Sequence, residues 1–349
     1  MVERLVVLIK KLVKKHSVLA QTYRALYGLY IYMKLVKRHG DDKHFIVIKG
    51  ATGDVYIQFL LLKEYIAKKS ISDYIIIGDG AGLIPISRLF AASNVEFMPA
   101  KLLDYLELAY HVTDGASFNL IIPFFWTRPV FYDNWKCRTR LKPGFSFLDT
   151  YVYMSYKMCY PLILAEPKFI EDKETICFWC QQHGVIRNKT IIISPEANSV
   201  TSLPIWFWNI IINEFKQAGY VVFMNCGGTT LYRAPNIFPQ YEMAVPLLEY
   251  AGYFIGIRSG FCDIISSASC RKIILYPQVA ENIYYGHHRS EMEFSCFGLM
   301  GYPTNNLLEI STPLLKNITQ KQFEIDSFED YYDELDRLKR NIVEGIMKY

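Results

Sequence analysis

Two short stretches carry residue types able to hold an anion or move a proton. The first is Arg258-Ser259-Gly260. It follows an apolar run, Tyr253–Ile257, and precedes apolar residues at Phe261, Ile264, Ile265 and Ala268. That order reads as strand, turn and then a helix over 261–269. The first N–H groups of a helix lack internal partners. Glycine permits close approach, serine adds a hydroxyl, and arginine adds a fork of donors suited to phosphate. The turn is therefore a candidate anion cradle, with an ordinary βα turn carrying a surface arginine as the alternative. The second stretch is Gly50-Ala51-Thr52-Gly53-Asp54, between the apolar run Phe45–Lys49 and a helical segment, Val55–Lys68. It matches neither the GxxxxGK[ST] loop nor the GxGxxG fingerprint. Asp54 is expected at the helix start, facing the crevice at the strand ends or serving as the helix N-cap.

The segments that would position these turns alternate strand and helix. In the first half the strands are read at Phe45–Lys49, Ile71–Asp79, Val95–Pro99 and Phe118–Ile122, with helices over Val55–Lys68, Leu83–Ala92 and Leu102–Tyr110. Such alternation predicts a doubly wound α/β domain. An aromatic, irregular stretch over 124–160 fits either core or the cover of an acceptor groove. A second α/β domain opens with a helix over 171–184 and the strand Lys189–Pro195, followed by a polar loop, Glu196–Ser202. A long helix from Leu203 to Gly219, the strand Tyr220–Asn225 and a glycine loop, Cys226–Thr230, come next. A short helix beginning at Pro246 leads into Tyr253–Ile257, and Ile273–Tyr276 reads as a further strand. The expected organisation is an N-terminal helical extension over 1–40, domains over 41–165 and 166–325, and a terminal helix over 326–349.

Of the 349 residues, 51% are hydrophobic and 15% aromatic, enough to fill two sizeable cores. The net charge is only +4, but residues 1–40 hold nine Lys and Arg against Glu3 alone, a local +8 that leaves −4 on the remainder. Within that stretch Leu5, Leu8, Leu12, Leu19, Tyr23, Leu26, Tyr27 and Tyr30 fall on one helical face, and Lys10, Lys11, Lys14 and Lys15 on the other. A basic amphipathic helix of this kind predicts contact with an anionic membrane surface, or with the protein body or another subunit. No nucleic-acid-binding module accompanies it. The eight cysteines are scattered and Cys177–Cys180 forms a lone CxxC, so reduced thiols, no metal site and a cytoplasmic setting are expected. No spanning helix or signal peptide is read in the chain.

With both halves read, the chain resembles a GT-B glycosyltransferase, a fold of two Rossmann-like domains. Two segments are similar to the ADP-heptose:LPS heptosyltransferase-like family of bacterial envelope enzymes. They are Val47-Ile48-Lys49-Gly50-Ala51-Thr52-Gly53-Asp54, and Ile192-Ile193-Ser194-Pro195-Glu196-Ala197-Asn198-Ser199 followed by Leu203-Pro204-Ile205-Trp206. The family's Ser-Gly helix start maps onto Ser259-Gly260. Phe254–Phe261 is also similar to the donor loop of fucosyltransferases of the same fold, which leaves the donor open. The chain departs from the family where Val200-Thr201-Ser202 replaces a lysine and Cys262-Asp263 replaces a histidine.

The resemblance implies a metal-independent, inverting transfer with a nucleotide-sugar as substrate and no cofactor. It makes Asp54 the candidate base, with Gly53 in its turn. Arg258, Ser259 and Gly260 become candidates for the donor diphosphate. Ser194, Glu196 and Ser199 lie on the strand-end loop, and Glu196 either binds a sugar or ribose hydroxyl or caps the following turn. Asn225 and Gly227 border the base, and His287 and Arg289 add charge over the phosphates. The expected acceptor is a lipid-linked or envelope polysaccharide, at the inner face of the cell membrane. A sugar-nucleotide epimerase of the same fold and a non-catalytic scaffold subunit are the alternative readings.

Overall fold

The computed structural model describes residues 17–112, 119–123, 151–197, 203–227, 231–277, 306–312 and 326–348. These form two compact units, dividing between Glu166 and Pro167.

The first unit is built on four strands: β1 (His44–Ile48), β2 (Tyr74–Gly78), β3 (Val95–Phe97) and β4 (Leu120–Ile121). They lie in the order β3-β2-β1-β4, and every pairing is parallel. Parallel strands need crossovers, and helices α1 (Ser17–His39), α2 (Thr52–Lys68), α3 (Leu83–Leu89) and α4 (Ala100–Val112) surround the sheet. Phe45, Val47, Ile77 and Leu120 pack with Ile31 and Leu35 of α1 and Leu103 and Leu106 of α4. The alternating residues Ile46, Ile48 and Ile76 are equally buried on the opposite face.

Helix α1 touches α4 at close range. A Cβ on Gly28 would stand 2.0 Å from the carbonyl oxygen of Tyr105, and Tyr27 meets the Tyr105 ring edge-on at 5.7 Å. The face that α1 buries carries Ala25, Ile31 and Leu35, whereas Leu19, Tyr23, Leu26, Tyr27 and Tyr30 are exposed. The expected apolar face thus points largely away from α4, with Tyr27 at its border still meeting Tyr105, because the glycine-centred face allows the closer approach. Residues 2–16 lie outside the described residues.

In the second unit β5 (Thr190–Ser194), β6 (Val221–Met224), β7 (Gly252–Ile257), β8 (Arg271–Pro277) and β9 (Leu307–Thr312) form a parallel sheet of order β6-β5-β7-β8-β9. Its helices are α5 (Lys173–Gln182), α6 (Ile205–Gln217), α7 (Tyr241–Ala251), α8 (Gly260–Ile264) and α9 (Asp326–Met347). The strand period of two divides the core cleanly. Ile191, Ile193, Ile255, Ile257 and Ile273 pack with Trp208 and Ile211 of α6 and Leu338 and Ile342 of α9. Ile192, Phe254 and Ile274 pack on the other face with Cys180 of α5 and Leu247 and Leu248 of α7. Both faces are therefore buried, as a doubly wound fold requires.

Three elements depart from the sequence expectations. Helix α7 begins at Tyr241, not Pro246, and runs through the proline. Proline cannot donate to the carbonyl four residues back; here that carbonyl, Glu242, accepts the Ile170 N–H at 2.9 Å instead. Helix α8 has only five residues, Gly260–Ile264, in place of the helix expected over 261–269. At its end the backbone tightens to three-residue bonds, with the Ser266 N–H on Asp263 at 3.3 Å and the Ala268 N–H on Ile265 at 3.0 Å, and the Ser266 hydroxyl adds a second bond to the Asp263 carbonyl at 2.6 Å. Strand β9 was not expected at all, since Leu307–Thr312 is short and carries Glu309.

Among the described residues no helix is long and apolar enough to cross a membrane. Replacement of Gly28 by valine is expected to destabilise the first unit by about 1–3 kcal/mol in denaturant unfolding. The clash with main-chain atoms of α4 outweighs the roughly 0.5–1 kcal/mol that a side chain gains over glycine in a helix.

Candidate active site

In a parallel sheet buried on both faces, polar groups collect beyond the carboxyl ends of the strands, at the point where strand order reverses. In the first unit that point lies between β1 and β4. The chain leaves β1 through Lys49 and Gly50, whose φ of +123° favours glycine. It enters α2 at Thr52, three residues earlier than expected, with Ala51 as N-cap. Asp54 is therefore the third residue of the helix and not its cap. Its Oδ2 accepts the Ala51 N–H at 2.8 Å, and its Oδ1 accepts the Tyr151 hydroxyl. The Gln58 amide donates to the carbonyls of Lys49 at 2.7 Å and Asp54 at 3.1 Å, bracing the turn from below. Asp54 is 8% exposed.

Four further groups crowd this end of β1, and the sequence reading passed over all of them. The Lys49 ammonium donates to Asp104 at 2.6 Å and to Glu107 at 2.9 Å. Burial works against that charge, but the two carboxylates outweigh it and the Lys49 pKa is raised. Asp79 follows β2 directly. Burial pushes its carboxyl up, against the opposing pull of Lys49 and the Gly50 N–H, and its Oδ1 is buried with no hydrogen-bond partner among the described residues. A charged residue directly behind an unbroken apolar strand was the available signal for Lys49 and Asp79. For Asp104 and Glu107 it was their three-residue spacing on one helical face. Nothing in the sequence announced Tyr151, nearly a hundred residues from Asp54.

In the second unit the order reverses between β5 and β7. Register pairs Ser194, the last residue of β5, with Gly256, and β7 runs on through Ile257 before its own loop starts. Ser194 is buried, and its hydroxyl donates to the Asn225 carbonyl at 3.4 Å. The Asn225 N–H in turn donates to Ile193 at 2.7 Å. Glu196 is exposed and accepts the Tyr232 hydroxyl at 3.4 Å. Burial, then the Glu196 charge, holds that phenol well above its ordinary range. Gly227 is exposed, with open space where a side chain would be.

The turn after β7 is more rigid than its sequence suggested. Arg258 is 7% exposed. Its fork is held by Asp263, with Nη1 to Oδ2 at 3.0 Å and Nη2 to Oδ1 at 2.7 Å, and Nη1 also donates to the Ser259 carbonyl. Ser259 is the extended N-cap of α8, and Gly260 is its first residue. One helical turn contributes little macrodipole, so any anion affinity here rests on local donors. Arg258, Ser259, Gly260, Ser194, Asn225, Glu196 and Gly227 share the strand-end side of this unit, as Asp54 and Gly53 do in the other. Ser199, His287 and Arg289 lie outside the described residues.

No protein-family model and no curated protein matches this sequence. Solved structures do. The chain aligns with ADP-heptose LPS heptosyltransferase II of E. coli over 88% of its own length and 99% of that chain, with 12% identity and a TM-score of 0.50. The likeness is one of fold. A family 9 glycosyl transferase from Veillonella parvula aligns over 88% and 98% at 12% identity and TM-score 0.49. The E. coli heptosyltransferase WaaC with ADP aligns over 84% and 99% at 10% identity and TM-score 0.41. The fold class is thus two Rossmann-like α/β units with a helix preceding the first.

Two stability measurements follow from the charges. A carboxyl whose pKa is raised on folding favours the fold below the ordinary aspartate range, about pH 3.9, and loses that contribution as pH rises through the folded value. Asp79→Asn should therefore raise the melting temperature at neutral pH, with the gain vanishing below the ordinary aspartate range. Asp263→Ala leaves the buried Arg258 charge uncompensated and should cost about 3–5 kcal/mol in urea unfolding; the charge-neutral pair Arg258→Met with Asp263→Leu should cost less.

Proposed function

We propose that this protein is a glycosyltransferase that moves a sugar from a nucleotide-sugar donor onto a lipid-linked or envelope polysaccharide acceptor. The observation that carries the reading is the β5–β7 pairing, which ends β5 at Ser194 opposite Gly256, two residues before Arg258, so that both strand-end loops leave the sheet on the same side at the switch point of the second unit. The fold shared with the ADP-heptose LPS heptosyltransferase II of E. coli supports the same reading.

The donor belongs to the second unit. Ser259 and the backbone of 259–261 contact the diphosphate, and Arg258, its charge matched by Asp263, holds the turn in place. Ser194, Glu196 and Ser199 bind sugar or ribose hydroxyls, Asn225 and Gly227 border the base, and His287 and Arg289 add charge over the phosphates. In the first unit Asp54 acts as general base. The acceptor hydroxyl oxygen attacks the anomeric carbon as its proton passes to Asp54. The bond from that carbon to the diphosphate breaks, and the electron pair leaves on the phosphate oxygen. Attack opposite the leaving group inverts the anomeric centre and uses no metal ion. A peripheral position at the inner face of the cell membrane suits such an acceptor.

The donor is tested first by thermal shift against a panel of nucleotides and nucleotide-sugars, where a hundredfold excess over Kd stabilises by about 2.7 kcal/mol. One nucleotide family is expected to respond; a flat panel removes the donor site and leaves the scaffold alternative. Asp54→Asn should then retain the donor shift and lose transfer by about 10²–10⁴-fold, read as nucleotide release in the presence of acceptor. Turnover of the donor without acceptor, with hydrolysis excluded, would instead indicate the epimerase.

A further inference from the structure

Helix α1 is apolar on two sides. One side, with Ala25, Gly28, Ile31 and Leu35, is buried, and it packs against α4 through Gly28. A surface helix that buries one stripe ordinarily turns polar residues outward. Here the outward side carries Leu19 at 51% exposure, Leu26 at 60%, Tyr30 at 44% and Met33 at 59%, with Tyr23 beside them. Their positions, 19, 23, 26, 30 and 33, advance by three and four residues, so they form one continuous stripe along the helix. Tyr23 stacks on Tyr27 at 6.2 Å, and Tyr27 lies 5.8 Å from Tyr30, which adds an aromatic edge to the stripe.

The helix's own charges have one sign, although Asp104 of α4 lies near Arg24 and Glu96 pairs with Arg38. From Ser17 to His39 there is no aspartate or glutamate. Lys34 and Lys37 continue the stripe's own spacing and are exposed, and the Lys34 ammonium sits 4.7 Å from the Tyr30 ring centre. In a two-fold contact of this face on itself, the helix of a second copy would bring the same cations and no carboxylate of its own, an arrangement that like charges disfavour. Apolar side chains flanked by tyrosine hydroxyls and lysine ammonium groups match a headgroup layer carrying negative charge, where the ring is half buried and the ammonium meets phosphate.

We propose that the outward face of α1, formed by Leu19, Tyr23, Leu26, Tyr30 and Met33, docks the folded protein onto a bilayer containing anionic lipid. The docking element is a helix already packed on the sheet domain, not a detached tail. The inference does not rest on the glycosyl-transfer reading, since neither the nucleotide nor Asp54 enters it.

The test is co-sedimentation of the full chain with vesicles of phosphatidylcholine alone and of phosphatidylcholine mixed with phosphatidylglycerol. The native chain should bind the mixed vesicles, bind the neutral ones far less, and weaken as salt is raised. Leu26→Gln with Met33→Gln, both on exposed positions, should fold as the native chain does and lose about tenfold or more in partitioning. Lys34→Gln with Lys37→Gln should lose the preference for the anionic lipid. Unchanged binding by the Leu26/Met33 variant would assign any membrane affinity to the lysine-rich residues 10–15 and overturn the proposal. So would a dimer that dissociates on the same substitution, which would make this face an interface between copies.

Discussion

A parallel sheet covered on both faces leaves its central strands little room for polar side chains except beyond their ends, and β1 and β5 follow that constraint, whereas Lys272 of β8 is buried with its ammonium on the Ala268 carbonyl. Ile46, Val47 and Ile48 are almost fully buried, and so are Ile191 to Ile193. The first residues past these runs are Lys49 and, through Ser194, the loop that holds Glu196. Burial of the strands thus concentrates charge and hydroxyls along one edge of each sheet, and the reversal of strand order opens a crevice there. The chemistry proposed for the protein follows from this geometry more than from any single motif.

Charges at those edges are balanced before any ligand arrives. Lys49 is held between Asp104 and Glu107, and Arg258 is gripped by both arms of Asp263. Buried ion pairs of this kind contribute little net stability compared with apolar packing, because desolvation offsets the attraction. Their effect is on position. A guanidinium fixed at two points cannot swing, so the Ser259-Gly260 backbone beside it keeps one conformation, and a bound anion would find its donors already arranged. Asp54 is fixed in the same way by the Ala51 N–H and the Tyr151 hydroxyl.

The alternation of strands and helices was legible because buried parallel strands read as unbroken apolar runs, and Phe45–Ile48, Thr190–Ser194 and Tyr253–Ile257 all do. The two glycine turns were legible through residue type. What the sequence concealed was non-local. Asp263 reads as a helical residue until its partner Arg258 is seen folded back on it. Tyr151 has no signature pointing to Asp54. Helix α8 ends where its backbone tightens to three-residue bonds, and β9 exists through its pairing with β8, neither of which periodicity reports. On α1 the apolar spacing was clear, but a glycine-sized contact with α4 decided which face went inward.

Pro246 has a consequence for how the second unit holds together. By lacking an N–H it leaves the Glu242 carbonyl vacant inside a helix, and Ile170, four residues past the division between the units, fills it. The incoming chain is thereby pinned to α7 by a main-chain bond that, of all substitutions at residue 170, only proline would remove. Any other residue at position 246 would bring its own amide to the same oxygen. The helix would then compete with the incoming segment for one acceptor, and the more regular helix would be the one that grips its neighbour less.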